Sequence, residues 1–233
     1  MGLPQIDYAT YQLTLPSTQQ VIKYRAFNVK EEKILMMALE SEDEGDMFNA
    51  IIQIIDNCTM GKIKSVEELP YFDIEHIFIQ LRKKSIGEII TASTKCSKCE
   101  GEVPAEINLD EVVLNTVDEG DNVIQISDSM GIEMRYPSMS GLNVEGATKI
   151  EKSFNLIAAM ISSVYDGDTI HKASSYSNSE LVDWIEALPE EVFLKMNTFM
   201  ENMPKITYNS EVICPSCGEK NVIRLEGLSS FFG

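Results

Sequence analysis

The sequence predicts an α+β chain: a zinc-ribbon-like β element interrupted by a mainly helical insertion, preceded by a β-hairpin and helices. Three observations carry this. Two Cys-x-x-Cys pairs, Cys96-Ser97-Lys98-Cys99 and Cys214-Pro215-Ser216-Cys217, lie far apart, each between short runs that read as strands. The stretch between them holds several apolar patterns of helical period. The start of the chain alternates apolar and polar residues, as paired strands do.

In chain order, residues 8–15 and 20–27 alternate around Pro16-Ser17-Thr18, which predicts a hairpin. The period then changes. Residues 30–40 read as a helix, and the next segment repeats more strongly. Met47, Ala50, Ile51, Ile54, Ile55 and Cys58 fall on one helical face. The acidic link over 42–46 separates the two helices and puts negative charge at the N-terminus of the second. Ser65-Val66-Glu67-Glu68 has capping-box spacing. A helix over 71–84 follows, with Ile74, Ile77, Phe78 and Leu81 on one face and Arg82-Lys83-Lys84 as cations at its C-terminus. Strands over 88–94 and 102–109 flank the first cysteine pair, and the acidic segment 111–120 reads as a connection.

Residues 122–127 and 131–136 bracket Asp128-Ser129-Met130-Gly131 as a second hairpin. A helix over 144–164 carries Ile150, Phe154, Ile157 and Ile161, and Asp166-Gly167-Asp168 ends it. That triplet resembles the start of a calcium loop, but position 12 counted from Asp166 is Ser177 where a Glu is needed, so it reads as a turn. Ser177-Asn178-Ser179-Glu180 is a capping box for a short helix with Leu181, Trp184, Ile185 and Leu188. Pro189 starts a further helix with Val192, Phe193, Met196, Phe199, Met200 and Met203, which Pro204 stops. Its Met- and Phe-lined face reads as core, with an adaptable docking surface as the alternative. Strands over 205–213 and 219–225 flank the second cysteine pair. The resulting divisions are 1–87, a hairpin and helical lobe; 88–110 with 205–233, a split ribbon; and 111–204, a hairpin plus helical insertion.

Two thiolates on one tight turn grip a cation from one side. Two such turns facing each other complete the tetrahedron that Zn2+ takes in structural sites. Cys96, Cys99, Cys214 and Cys217 are therefore the predicted metal ligands, for one structural zinc per chain. Pro215 and Gly218 supply turn geometry to the second pair. The alternatives are two disulfides or four reduced core thiols. A redox Cys-x-x-Cys usually opens a helix beside a strand, whereas each pair here reads as a hairpin tip. Four thiolates leave no open position for water or substrate, so the metal is a staple and not a catalyst. Its binding free energy, on the order of 10 kcal/mol, becomes folding free energy.

At 233 residues the chain can bury one or two cores. No run approaches 18 apolar residues, so no membrane helix is expected. Nothing at the N-terminus reads as a secretory signal, and Ile6 breaks a myristoylation motif at Gly2. A reducing compartment is therefore expected, which favours metal over disulfide. With 37 acidic against 19 basic residues the net charge is −18, which argues against nucleic-acid binding and for basic protein partners. The fifth cysteine, Cys58, reads as a small core residue. The two histidines, His76 and His171, have no recognisable catalytic partners, and no nucleophile elbow, phosphate loop or His-Glu-x-x-His motif is present. No catalytic residues are expected, and the chain does not read as an enzyme.

The run Leu15-Pro16-Ser17-Thr18, then Ile22-Lys23-Tyr24-Arg25-Ala26-Phe27, then Lys30-Glu31-Glu32-Lys33-Ile34-Leu35 and Ala38-Leu39-Glu40-Ser41 resembles the opening of baseplate hub proteins of contractile-tailed, T-even-type bacteriophages. The paired cysteine knuckles, the Val164-Tyr165-Asp166-Gly167-Asp168 turn and the Leu181-Val182-Asp183-Trp184-Ile185 helix are similar too. The resemblance runs over most of the chain. It implies a structural or assembly component of the tail baseplate hub, acting through protein contacts and without catalysis. Its implied partners are other hub proteins, at the place where the spike, the hub and the tape-measure protein meet, with the spike or the tape-measure protein as candidates, and no nucleic acid or membrane. It implies a place in the virion tail baseplate, or in the host cytoplasm during assembly, and a homo-oligomer is compatible with it. Two segments stand out as contacts: the free edge of the N-terminal hairpin and the tail from Leu228 to Gly233, which either packs on the ribbon or inserts into a partner. The competing reading is a zinc-ribbon adaptor in transcription or RNA processing. Glu102, Glu106, Glu211, Glu219 and Glu226 on the ribbon strands count against it.

Overall fold

The alternating start of the chain folds into an antiparallel hairpin of β1 (Thr10–Thr14) and β2 (Val21–Arg25), which buries Leu13, Ile22 and Tyr24 on its inner face. The computed structural model describes residues 7–41, 43–115, 122–142, 144 and 146–231. Residues 1–6, the acidic stretch 116–121 and the terminal Phe232 and Gly233 lie outside the described residues, and so do the expectations that fall on them.

Two helices follow, α1 (Val29–Ser41) and α2 (Glu44–Cys58). Asp43 caps α2 by accepting Asp46 N–H at 3.0 Å. The stripe Ala50, Ile51, Ile54, Ile55 and Cys58 is buried, and full burial of each Ile stabilises by about 1.5–3 kcal/mol. Between β2 and α1 lies a buried ion pair. Arg25 donates to both carboxylate oxygens of Glu31, at 3.0 and 3.1 Å, and Asn28 N–H adds a third bond at 3.0 Å. Burial acts to raise the Glu31 pKa, but the Arg25 and Asn28 bonds outweigh it and hold the carboxyl below its ordinary value.

The capping-box spacing at Ser65 does not start the next helix. Residues Val66–Glu68 form a separate 3-10 turn, and α3 (Tyr71–Ser85) begins after Pro70. Along α3 the residues Phe72, Asp73, Ile74, Glu75, Ile77, Phe78, Ile79 and Leu81 are all buried, so two carboxylates enter the core together. Asp73 accepts from Ser17 N and Oγ. Glu75 accepts from Leu228 N at 2.6 Å and Ile206 N at 3.3 Å.

Next come the hairpin β3 (Ile89–Lys95) and β4 (Glu102–Asn108), and then β5 (Val113–Asn115). The last is a correction to the reading of 111–120 as a connection. Residues 113–115 pair with a strand near the end of the chain.

The central part of the chain contains β6 (Val123–Gln125) and β7 (Met130–Met134), a short α4 (Met139–Leu142) and α5 (Lys149–Ala159). Then follow β8 (Ile161–Asp166), β9 (Thr169–Lys172), α6 (Asn178–Glu186) and α7 (Glu190–Glu201). The helix expected over 144–164 is thus shorter. Thr148 and Glu151 cap its start, it ends at Ala159, and Ile161 belongs to a strand. Strands β6-β7-β8-β9 form one antiparallel sheet, with Asp166-Gly167-Asp168 turning β8 into β9. Ile132, Met134, Ile157, Met160, Ile161, Ile185 and Met196 form its buried core, and Phe193, Phe199 and Met200 pack against it. The Met and Phe face of α7 is therefore core.

The chain closes with β10 (Lys205–Ile213), β11 (Lys220–Glu226) and a 3-10 turn over Leu228–Phe231. β10 lies between β11 and β5 in a three-stranded sheet. By contacts the chain divides into two units: residues 1–66, 72–115 and 205–233 in one, and 67–71 and 116–204 in the other.

Candidate metal centre

Each cysteine pair sits at the tip of one hairpin, and both hairpins belong to the same unit. In β3–β4 the alternation buries Val103, Ala105 and Ile107. In β10–β11 it buries Ile206, Tyr208, Asn221 and Ile223. Tyr208 Oη donates to Glu106 O at 3.4 Å, which joins the second hairpin to the first.

The two tips are brought together. Cys96 Sγ lies 3.6 Å from Cys217 Sγ, and Cys99 Sγ lies 3.6 Å from Cys214 Sγ. All four sulfurs fall within 4.8 Å of one another. A tetrahedron with Zn–S bonds of ~2.3 Å has S···S edges of roughly 3.8 Å, so the donor set and its spacing fit such an ion. None of the four cysteines is joined in a disulfide in this structure, and the pairs Cys96–Cys217 and Cys99–Cys214 stand 3.6 Å apart. Cys96 and Cys214 are buried with Val103 beneath them, and Cys99 and Cys217 are exposed. Among the described residues no other group of three or more His, Cys, Asp or Glu side chains is close enough to share an ion.

The electrostatics favour negative sulfur at Cys96 and Cys214 and oppose it at Cys217. Backbone N–H groups of Lys98 and Cys99, then Asn221 and Cys217, pull the Cys96 thiol down to about 6 against the cost of burial. Burial raises Cys214, but the N–H groups of Cys217 and Ser216 and the neighbouring thiols outweigh it, and its pKa ends lowered. Cys217 retains the proton. The Glu219 N–H lowers its pKa, but Cys99, burial, Cys96 and Cys214 push it up to about 12. Four sulfurs crowded within 4.8 Å present a donor set of the kind that holds a cation.

Sequence reasoning missed Asn221. It is buried between the knuckles and touches Cys96 Sγ, Ser97 and Glu219. One signal was available. In β11 the inward positions are 221, 223 and 225, so an amide sits in register with Ile and Leu.

The family described as T4 bacteriophage base plate protein matches residues 8–233. The chain belongs to this family. Membership places it with the tail baseplate. The baseplate hub assembly protein gp26 of Enterobacteria phage T4 is 24% identical over 229 residues, covering 95% of this chain and 97% of that protein. No solved structure matches the chain.

The other residues singled out in this baseplate-family chain lie outside the cluster. Cys58 is fully buried at the end of α2, and burial pushes its thiol up to about 12, which leaves it inert as a nucleophile. His76 is half-buried on α3, and burial, then Lys83, lowers its pKa. His171 on β9 meets Tyr176 Oη at 2.9 Å through Nδ1. Among the described residues no helix is long and apolar enough to cross a membrane. Of the two expected contact segments, β1–β2 is a two-stranded sheet, and Leu228 and Phe231 of the tail are buried against their own unit.

Proposed function

We propose that this chain is a non-catalytic structural or assembly component of the tail baseplate hub, and that Cys96, Cys99, Cys214 and Cys217 form a zinc ribbon around one Zn2+. The observation that carries the hub reading is the family match over residues 8–233, with a relative named as a hub assembly protein aligned nearly end to end. The metal reading is supported by the four sulfurs within 4.8 Å and by the backbone N–H groups directed at Cys96 and Cys214. Four thiolates close the coordination shell, so the ion contributes folding energy and no chemistry. The unit's buried acids already have structural partners: Glu31 with Arg25, Asp73 with Ser17, and Glu75 with two backbone N–H groups.

Its partners in this reading are other hub proteins, with the spike or the tape-measure protein as candidates. The net charge of −18 suits basic partner surfaces and opposes the transcription or RNA adaptor reading. Cross-linking a tagged full-length chain during phage assembly tests the proposal. Hub subunits should be recovered with it. Recovery without any hub subunit, together with nanomolar binding of DNA or RNA at low salt, would replace this reading with the adaptor. Quantifying the chain in purified particles then separates a retained subunit from an assembly factor that departs.

A further inference from the structure

The amide of Asn221 uses both of its ends. Its Oδ1 accepts Ser97 N at 2.9 Å and Ser97 Oγ at 3.1 Å. Its Nδ2 donates to Glu219 O at 3.1 Å and Cys96 Sγ at 3.6 Å. This network determines the amide's orientation. A flip would aim Nδ2 at the Ser97 N–H and Oδ1 at the Glu219 carbonyl oxygen, setting donor against donor and acceptor against acceptor.

The two hairpins differ at this position. Aligned on their cysteines, the counterpart of Asn221 in β4 is Val103, and the counterpart of Ser97 is Pro215. Proline has no N–H to donate. An amide at position 103 would lack the backbone donor that Ser97 offers Asn221, and Val103 instead fills the space beneath Cys96 and Cys214. The clasp therefore runs one way, from the second hairpin onto the first knuckle.

We infer that Asn221 is the positioning residue of the cysteine cluster, holding the first knuckle in metal-binding geometry and supporting the Cys96 sulfur with an N–H. The inference rests on the metal reading above. A sulfur bound to a divalent cation keeps excess negative charge, and a buried N–H aimed at it stabilises that state more than the free thiol. Outer groups of this kind are worth about 10–100-fold in metal affinity.

The test is Co2+ titration of the full-length chain stripped of metal, followed by Zn2+ competition against a chromophoric chelator. Asn221→Asp keeps an oxygen for the Ser97 donors but puts an oxygen, not an N–H, against the Cys96 sulfur. Asn221→Ala removes both contacts. The wild type should give the thiolate-to-cobalt charge-transfer band. Asn221→Asp should weaken Zn2+ binding by about 10–100-fold, at least as much as Asn221→Ala does. Melting of the metal-free chains reports the packing effect, and a loss of Zn2+ affinity beyond that destabilisation is the positioning effect. Wild-type affinity in Asn221→Asp overturns the role of Asn221 and leaves the metal site standing. Absence of the cobalt band in the wild type overturns the metal site, and this inference with it.

Discussion

In the first knuckle Cys96 N–H donates to Gly101 O at 2.8 Å, and Glu100 N–H donates to Cys96 O at 3.0 Å. In the second, Cys214 N–H donates to Glu219 O at 2.8 Å, and Gly218 N–H donates to Cys214 O at 2.9 Å. The turns match bond for bond, and the residue after the second cysteine is left-handed in both, with φ of 56° at Glu100 and 73° at Gly218. What differs is how each turn is secured. The second has Pro215 and Gly218, which favour its backbone locally. The first has Ser97 and a strained Glu100, and draws its support from Asn221 on the other hairpin. One tip is set by its own sequence, and the other by the company it keeps. Each tip brings two sulfurs to the one cluster, and in that the two are equivalent.

The largest effect should ignore the difference between the tips. Cys96→Ser and Cys214→Ser each remove one of four ligands, and each should abolish stoichiometric zinc. A folding contribution on the order of 10 kcal/mol is at stake. Chelation of the wild type should do the same, with amide exchange rising over β3–β4 and β10–β11. Metal analysis by mass spectrometry reads the outcome. A full zinc equivalent in either serine variant would mean that the tips do not share one ion.

The bases of the hairpins should respond unequally. The second hairpin enters and leaves beneath Glu75, which accepts Ile206 N at its entry and Leu228 N at its exit. Glu75→Ala strands two buried N–H groups at about 1–3 kcal/mol each. For a chain of this size each 1 kcal/mol lowers Tm by about 2–4 °C. Deleting residues 228–233 should lower Tm as well, because Leu228 and Phe231 are buried. An unchanged melting curve would mean that the tail is free to insert elsewhere.

How far the fold was legible follows from where its causes lie. The strands beside each cysteine pair were readable because alternation over seven to nine residues is a local signal. The helix at Ser177 was readable for the same reason, since Ser177 and Glu180 satisfy each other's backbone. The helix expected over 144–164 overran because Ile157 and Ile161 keep helical spacing across a true boundary. Pairing of Ile161–Asp166 with β7 decides the matter, and that partner lies outside any local window. β5 was invisible because its three residues gain their order from β10, about ninety positions away. That the four cysteines of the candidate site would meet was legible from spacing alone. Asn221 was not, since its contacts at Ser97 and Cys96 come from the opposite hairpin.

A smaller effect should come from Gly101, where the two tips approach closely. A Cβ there would sit 3.3 Å from Cys99 Sγ and 3.4 Å from Ser216 Oγ. Its counterpart Glu219 carries a full side chain and pairs with Lys98 at 3.0 Å on the surface. Gly101→Ala should therefore cost about 1 kcal/mol, by displacing Cys99 Sγ of the same knuckle by a few tenths of an ångström. Glu219→Ala should cost under about 1 kcal/mol, as exposed ion pairs do. Equal losses in denaturant melts would mean that the approach at Gly101 is not tight.

The finest test exchanges the left-handed residues. Gly218→Ala meets nothing within 4 Å, so its cost is conformational alone, about 1–2 kcal/mol for an L-residue in this region. Glu100→Gly relieves a similar strain in the first knuckle. It also frees the unfolded chain by about 0.4–1 kcal/mol, so the net gain should be under about 1 kcal/mol. Melts of the zinc-loaded variants should thus move in opposite directions, down for Gly218→Ala and slightly up for Glu100→Gly. A loss in Glu100→Gly would mean that the Glu100 side chain holds the first tip. The unequal support of the two turns would then come from that side chain, and not from the contacts of Asn221 with Ser97.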